Sequence, residues 1–240
     1  MPGQNVRGFV ERVALVTGGA RGVGRAVALQ LALEGVYVIV SYAPGDAEGA
    51  RVAGELREMG TLAHAFAADV TRGEGVRGLL ASVEATFGRL DLLVNASAVR
   101  PASHGEEVTE AVWEEVLNVS LKSAFLLTRE AARLLRARPA PSVVNVAAEV
   151  GLTGEGAPHT VAAHAGLVGL TKSLARELAP RIRVNCVASS DGAGRGARPA
   201  PDEVARACVF LLSPAAASIT GQTLVVGGGL RGADNSVQAV

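Results

Sequence analysis

Short β-branched and apolar runs alternate along the chain with longer segments whose apolar positions recur at helical spacing. The strand candidates are Val13–Thr17, Val36–Ser41, Leu62–Ala67, Asp91–Asn95, Ser142–Val146, Ile182–Val187 and Thr223–Val226. Between them fall helical patterns over Gly22–Glu34, Ala47–Met59, Gly73–Phe87, Glu110–Ala137, Pro158–Leu178 and Pro201–Leu212. Apolar strands that alternate with crossover helices predict a parallel sheet buried on both faces. With no long polar linker, the pattern predicts a single α/β domain over residues 1–240, a Rossmann-type doubly wound parallel seven-stranded sheet with helices on both faces. Residues 1–11 are expected to form a flexible N-terminus and 231–240 a C-terminal tail. Residues 189–200 (SSDGAGRGARPA) form the one loop-like insert of low hydrophobicity.

Composition narrows the function classes. At 49% hydrophobic and 19% charged residues, the chain can bury a large core and does not read as disordered. Its 23 basic residues balance 23 acidic ones, so no net field draws it to nucleic acid or an anionic membrane, and neither partner is expected. No apolar run approaches the roughly 18 residues of a membrane span, and the N-terminus lacks the apolar stretch of a signal peptide. A cytoplasmic address is expected. Cys186 and Cys208 sit inside apolar runs, away from any ligand spacing, which predicts reduced packing residues and no metal site. Lys122 and Lys172 are the only lysines, so few amines are available for chemistry.

The first strand runs into Gly18-Gly19-Ala20-Arg21-Gly22-Val23-Gly24 and then an apolar helix. Glycines in that context permit a tight turn, let backbone approach a pyrophosphate, and leave the N–H groups of a helix N-terminus facing its charge. Here the text resembles the short-chain dehydrogenase/reductase family, whose TGxxxGxG motif is matched by Thr17, Gly18, Gly22 and Gly24. Further matches follow in order: Asp69-Val70, the run from Leu93 through Asn95 to Ala96, Asn118, the run from Gly166 to Ala175, Arg183-Val184-Asn185 and Ile219-Thr220-Gly221-Gln222. The likeness is strongest to bacterial 3-oxoacyl-acyl-carrier-protein reductases.

The resemblance implies a nicotinamide dinucleotide held by Thr17, Gly18, Arg21, Gly22, Val23, Gly24, Ser41, Asp69, Val70 and Asn95. An NAD-binding member is expected to carry an acid at the end of the second strand, where this chain reads Ser41-Tyr42-Ala43. With no acid at Tyr42 and with Arg21 where the resemblance implies a 2′-phosphate contact, NADP(H) is favoured over NAD(H). Outside that frame Arg21 reads as a solvated loop arginine and Asp69 as a turn or capping acid.

The family's reaction needs a tyrosine to move a proton, a lysine four residues later to lower its pKa, and a serine to hold the substrate oxygen. The register set by Ala165-Gly166-Leu167 puts Thr160 at the tyrosine position and His164 at the lysine position, and the serine falls on Ala147 or Ala148. Of the catalytic set only Asn118 keeps the family's residue. An aliphatic hydroxyl such as that of Thr160 ionises far too high to replace tyrosine. The mobile lid that normally follows the sixth strand is replaced by the short insert at 189–200, and Gly227 stands where the closing motif usually has Asp. A shorter lid removes water exclusion and positioning.

The preferred reading is therefore a catalytically impaired family member that retains NADP(H) binding, weakened or lost, and acts as a binding, regulatory or assembly partner. The alternative is an active carbonyl or alcohol oxidoreductase that uses His164, or His159 five residues before it, as a substitute acid. A third reading is a scaffold without nucleotide that associates with an active relative. His64 and His104 show no ligand spacing and read as structural or exposed. The resemblance also implies a homo-oligomer, a dimer or tetramer built through the two long helices and the last strand, with Phe125, Leu126, Leu167 and Leu170 as apolar candidates.

Overall fold

The computed structural model describes residues 8–9, 11–46, 48–102, 105–190 and 198–227. The 231–240 tail, His104 and positions 191–197 of the insert lie outside the described residues. In chain order the elements are β1 (Val13–Thr17), α1 (Gly22–Leu33), β2 (Tyr37–Tyr42), α2 (Glu48–Glu58), β3 (Ala63–Ala67), α3 (Gly73–Phe87) and β4 (Leu92–Asn95). There follow α4 (Glu110–Leu117), α5 (Ser123–Arg136), β5 (Ser142–Ala148), α6 (Val150–Thr153), α7 (Pro158–Leu178), β6 (Arg183–Ser189), α8 (Pro201–Leu212) and β7 (Thr223–Val226).

All pairings are parallel, in the order β3-β2-β1-β4-β5-β6-β7. This is the expected doubly wound Rossmann-type sheet, and its order reverses between β1 and β4, where such sheets open a crevice at their carboxyl ends. The period of two in the strands divides the core. Val16, Val40 and Val94 pack with Val27, Leu31 and Val209 of α1 and α8. Leu15, Ile39 and Leu93 pack on the other face with Val76, Leu127 and Leu174 of α3, α5 and α7. Each such leucine, isoleucine or valine contributes roughly 1.5–3 kcal/mol by leaving water.

At the opposite, amino end of the strands, the fully buried Asp91 accepts from Arg89 Nε and Nη2, both at 2.8 Å, from Arg138 Nε at 3.0 Å and from the Val13 N–H at 3.0 Å. Burial alone would raise its pKa, but these donors outweigh it and hold the carboxyl below the usual range. The network clamps β1, the start of β4 and the end of α5 together, far from the carboxyl-end crevice.

Four features differ from the sequence pattern. The helix expected over Glu110–Ala137 is broken by a π turn, Asn118–Lys122, in which the Ser123 N–H reaches the carbonyl of Asn118 five residues back. The turn bypasses the Val119 carbonyl, which instead accepts from Ser123 Oγ at 2.6 Å. Strands β5 and β6 each run two residues further than expected, because the small pairs Ala147–Ala188 and Ala148–Ser189 continue the ladder. The short α6 is an addition. It lies against α7 so closely that a Cβ on Gly151 would come within 2.6 Å of the Ala165 nitrogen. Finally, the N-terminus is not free through residue 11: Phe9 is fully buried in the core, and its carbonyl accepts the Arg12 N–H at 3.1 Å.

Candidate functional site

A cleft of about 720 Å³ opens at the carboxyl ends of the strands, across the β1–β4 reversal. At one end β1 delivers the chain into the glycine turn, with Gly18 at φ +62° and Gly22 at φ +53°. Arg21 is the extended residue before α1 and offers no side-chain cap, so the first N–H groups of that helix remain free to meet a ligand's negative charge. A Cβ at Gly24 would fall on the Gly18 carbonyl, so only glycine lets α1 seat against the turn. Gly18, Arg21, Gly22, Val23 and Gly24 all line the cleft, as do Ser41, Asp69 and Val70.

Thr17 and Asn95 do not line it; they brace its floor. Thr17 Oγ1 accepts the Ala96 N–H at 3.2 Å and reaches the Val94 carbonyl at 3.4 Å, tying β1 to the end of β4. Asn95 Nδ2 donates to Asn145 Oδ1 at 2.8 Å and to Thr128 Oγ1 at 3.2 Å, and Asn145 Nδ2 continues to Thr171 Oγ1 at 2.9 Å. This buried chain links β4, β5, α5 and α7 beneath the cleft. Asp69 lines the cleft and is also a turn acid: its Oδ1 accepts from Thr71 Oγ1 at 2.6 Å and the Thr71 N–H at 3.0 Å. Those hydrogen bonds from Thr71 hold its carboxyl below the ordinary value against the opposing pull of burial.

At the other end of the cleft, Ala148 and His164 meet. The Ala148 N–H donates to His164 Nδ1 at 3.2 Å, which leaves the imidazole proton on Nε2. That Nε2 is buried with no partner among the described residues. Burial, aided by the positive charge of Arg100, lowers the His164 pKa to about 4, so the ring is neutral at pH 7. Thr160, one turn earlier on α7, is only partly buried and lies outside the cleft wall, as does Asn118 at the head of the π turn. His159 is fully buried, does not line the cleft, and has both ring nitrogens unpartnered among the described residues. His64 is exposed and stacks on Phe66 with ring centroids 6.1 Å apart.

Sequence comparison places this geometry. The family model described as short chain dehydrogenase matches residues 12–192. The chain belongs to the short-chain dehydrogenase family. A second family model, described as Enoyl-(Acyl carrier protein) reductase, matches residues 191–231. The chain is 35% identical to the 3-oxoacyl-[acyl-carrier-protein] reductase FabG of Staphylococcus epidermidis, covering 92% of this chain and 99% of that protein. It is 34% identical to the 3-oxoacyl-[acyl-carrier-protein] reductase of Synechocystis, over 91% and 96%. Among solved structures, a short chain dehydrogenase from Mycobacterium smegmatis superposes with TM-score 0.87 at 30% identity, covering 97% of both chains. A dehydrogenase/reductase from Sinorhizobium meliloti superposes with TM-score 0.85, also at 30% identity, over 90% of this chain and 94% of that one.

Tyr42, read from the sequence as the non-acidic residue after the second strand, lines the cleft, whereas four other cleft residues escaped the sequence reading: Asp46, Arg100, Glu115 and Arg198. Asp46 matters most, because its Oδ2 takes Arg21 Nη2 at 2.5 Å across 25 positions of sequence. The Pro44-Gly45-Asp46 turn after β2 was the available signal, but only folding brings it to the glycine turn. Cys186 and Cys208 are both buried and free, with burial pushing the Cys186 thiol up to about 12. Among the described residues no group of His, Cys, Asp and Glu could hold a metal ion, and no helix is long and apolar enough to cross a membrane.

Proposed function

We propose that this short-chain dehydrogenase homologue binds a nicotinamide dinucleotide, NADP(H) in preference to NAD(H), without carrying out proton-coupled hydride transfer, and serves as a nucleotide-dependent binding, regulatory or assembly partner. The glycine cradle supports the binding half: Gly22 has open space above it, Gly24 tolerates no side chain, and the α1 N-terminus faces the same cleft. A bound nicotinamide would supply a hydride, and turnover would then require a protein group able to move the accompanying proton. The observation that carries the non-catalytic half is the state of His164, whose Nδ1 is taken by the Ala148 N–H and whose burial leaves on the order of one molecule in a thousand protonated at pH 7. Ala148 offers no hydroxyl, and Thr160 lies outside the cleft wall. The alternative, a reductase with His164 as acid, requires the charged ring that this burial opposes.

The His164 Nε2–H can still donate to a ligand oxygen, but it brings one neutral donor where a lysine brings three charged ones. Loss of charged contacts weakens binding by ~1.5–3 kcal/mol, tenfold or more. We further propose a single domain, a cytoplasmic address and self-association: Leu126 and Leu167 are spent in the core, whereas Phe125 and Trp113 remain 39% and 38% exposed on α5 and α4. Pairing with an active relative is the variant of this role that co-purification tests.

Calorimetric titration with NADPH and NADH, with a carbonyl-reduction assay on the same samples, tests the proposal. NADPH binding in the submillimolar range without turnover is the expected result. Turnover that His164→Gln abolishes overturns it in favour of a replaced acid, and no binding at millimolar cofactor leaves only the scaffold.

A further inference from the structure

The glycine-turn end of the cleft carries a feature that the glycine motif does not foretell. Arg21, which the family resemblance assigns to a 2′-phosphate, is already engaged by a carboxylate of the same cleft. The two partners are unequally held. Arg21 is 71% exposed and free to swing, whereas the Asp46 side chain is 21% exposed. Asp46 is also fixed from behind: its Oδ1 accepts the Glu48 N–H at 3.1 Å where α2 begins, while Oδ2 faces Arg21. Gly45 at φ +87° makes the turn that brings it there.

We infer that Asp46 is a specificity determinant that restrains the preference for a 2′-phosphorylated dinucleotide by competing for Arg21. The inference rests on the nucleotide-binding reading above and sharpens it. A ligand without the 2′-phosphate meets a pair that is neutral overall and leaves it intact. A 2′-phosphate, carrying about −1.5 to −2 charges at neutral pH, must draw Arg21 away and then lie beside a carboxylate that the Glu48 N–H keeps in place. Part of the attraction of Arg21 for the phosphate is thus cancelled by the lost ion pair and by like-charge repulsion. Asp46→Asn removes both terms and keeps the turn, because the amide oxygen still accepts from the Glu48 N–H.

The test measures dissociation constants for NADPH, NADH and the adenosine-end probes 2′,5′-ADP and ADP on the full chain and on Asp46→Asn and Arg21→Ala. Asp46→Asn is expected to tighten NADPH and 2′,5′-ADP about tenfold while NADH and ADP move less than about threefold. Arg21→Ala is expected to weaken only the two 2′-phosphorylated ligands. If the NADPH to NADH ratio of constants is unchanged in Asp46→Asn although both dinucleotides bind, the inference fails and the nucleotide reading stands. If neither the full chain nor Asp46→Asn binds any of the four ligands up to millimolar concentration, both fall together.

Discussion

Protonation of His164 provides a direct test of the chemistry proposed for this end of the cleft. The ring is 2% exposed, its Nδ1 is committed to the Ala148 N–H, and burial lowers its pKa to about 4. In the unfolded chain the same imidazole titrates near its free value of about 6.5. Between those two values the unfolded state binds a proton that the native state refuses, so native stability is full at neutral pH and falls as the pH drops from about 6.5 toward 4. The slope approaches about 1.4 kcal/mol per pH unit, which sums to roughly 2.5 kcal/mol by pH 4.5. His164→Gln removes this proton site while its amide oxygen can still accept from the Ala148 N–H. Urea unfolding of both proteins from pH 7.5 to 4.5 should therefore show the variant gaining on the parent by about 2.5 kcal/mol across the range. Carboxylates titrate in both proteins and cancel in that difference. Parallel pH dependences would refute the reasoning, as would a His164 ring resonance that titrates near 6.5, and either result would restore His164 as a candidate acid.

Two further substitutions probe the frame around the site. Asp91→Ala leaves Arg89 and Arg138 without their carboxylate and the Val13 N–H without its acceptor, and should cost about 3–5 kcal/mol in chemical denaturation while leaving the ratio of NADPH to NADH affinities unchanged. The folded-state pKa of Asp91 is depressed, so its contribution is present above the unfolded carboxyl value near 3.9 and fades as pH falls below it; a stability gap between parent and variant that does not narrow below about pH 4 would contradict this. Gly24→Ala places a methyl on the Gly18 carbonyl, forces α1 away from the turn, and should weaken dinucleotide binding at least about tenfold in calorimetry; unchanged affinity would show that the turn does not cradle the ligand.

Alternation of apolar strands with amphipathic helices was enough to read the sheet, because a strand buried on both faces has to be apolar throughout and a crossover helix has to show one apolar stripe. The glycine turn was legible for a similarly local reason: Gly18, Gly22 and Gly24 answer to backbone angles and close contacts within one strand-turn-helix unit. Ala148, Thr160 and His164 could likewise be picked out by their place in the sequence register. What the letters could not convey is their electrostatic state. His164 is neutral because it is buried beside the positive charge of Arg100, in a site where β5 runs on to Ala148, α6 presses its glycine onto α7, and the Ala148 N–H points at Nδ1. The break at Asn118–Lys122 escaped detection because a π turn depends on which carbonyl a later N–H selects, not on hydrophobic period. Asp46 escaped for the same kind of reason: its partner Arg21 lies on another strand's loop, and the distance between them is set by the pairing of β1 with β2. Local spacing thus determined the elements and the glycine turn, whereas charge, protonation and the Arg21–Asp46 pair depend on burial and on contacts between distant segments, which only the folded sheet brings about.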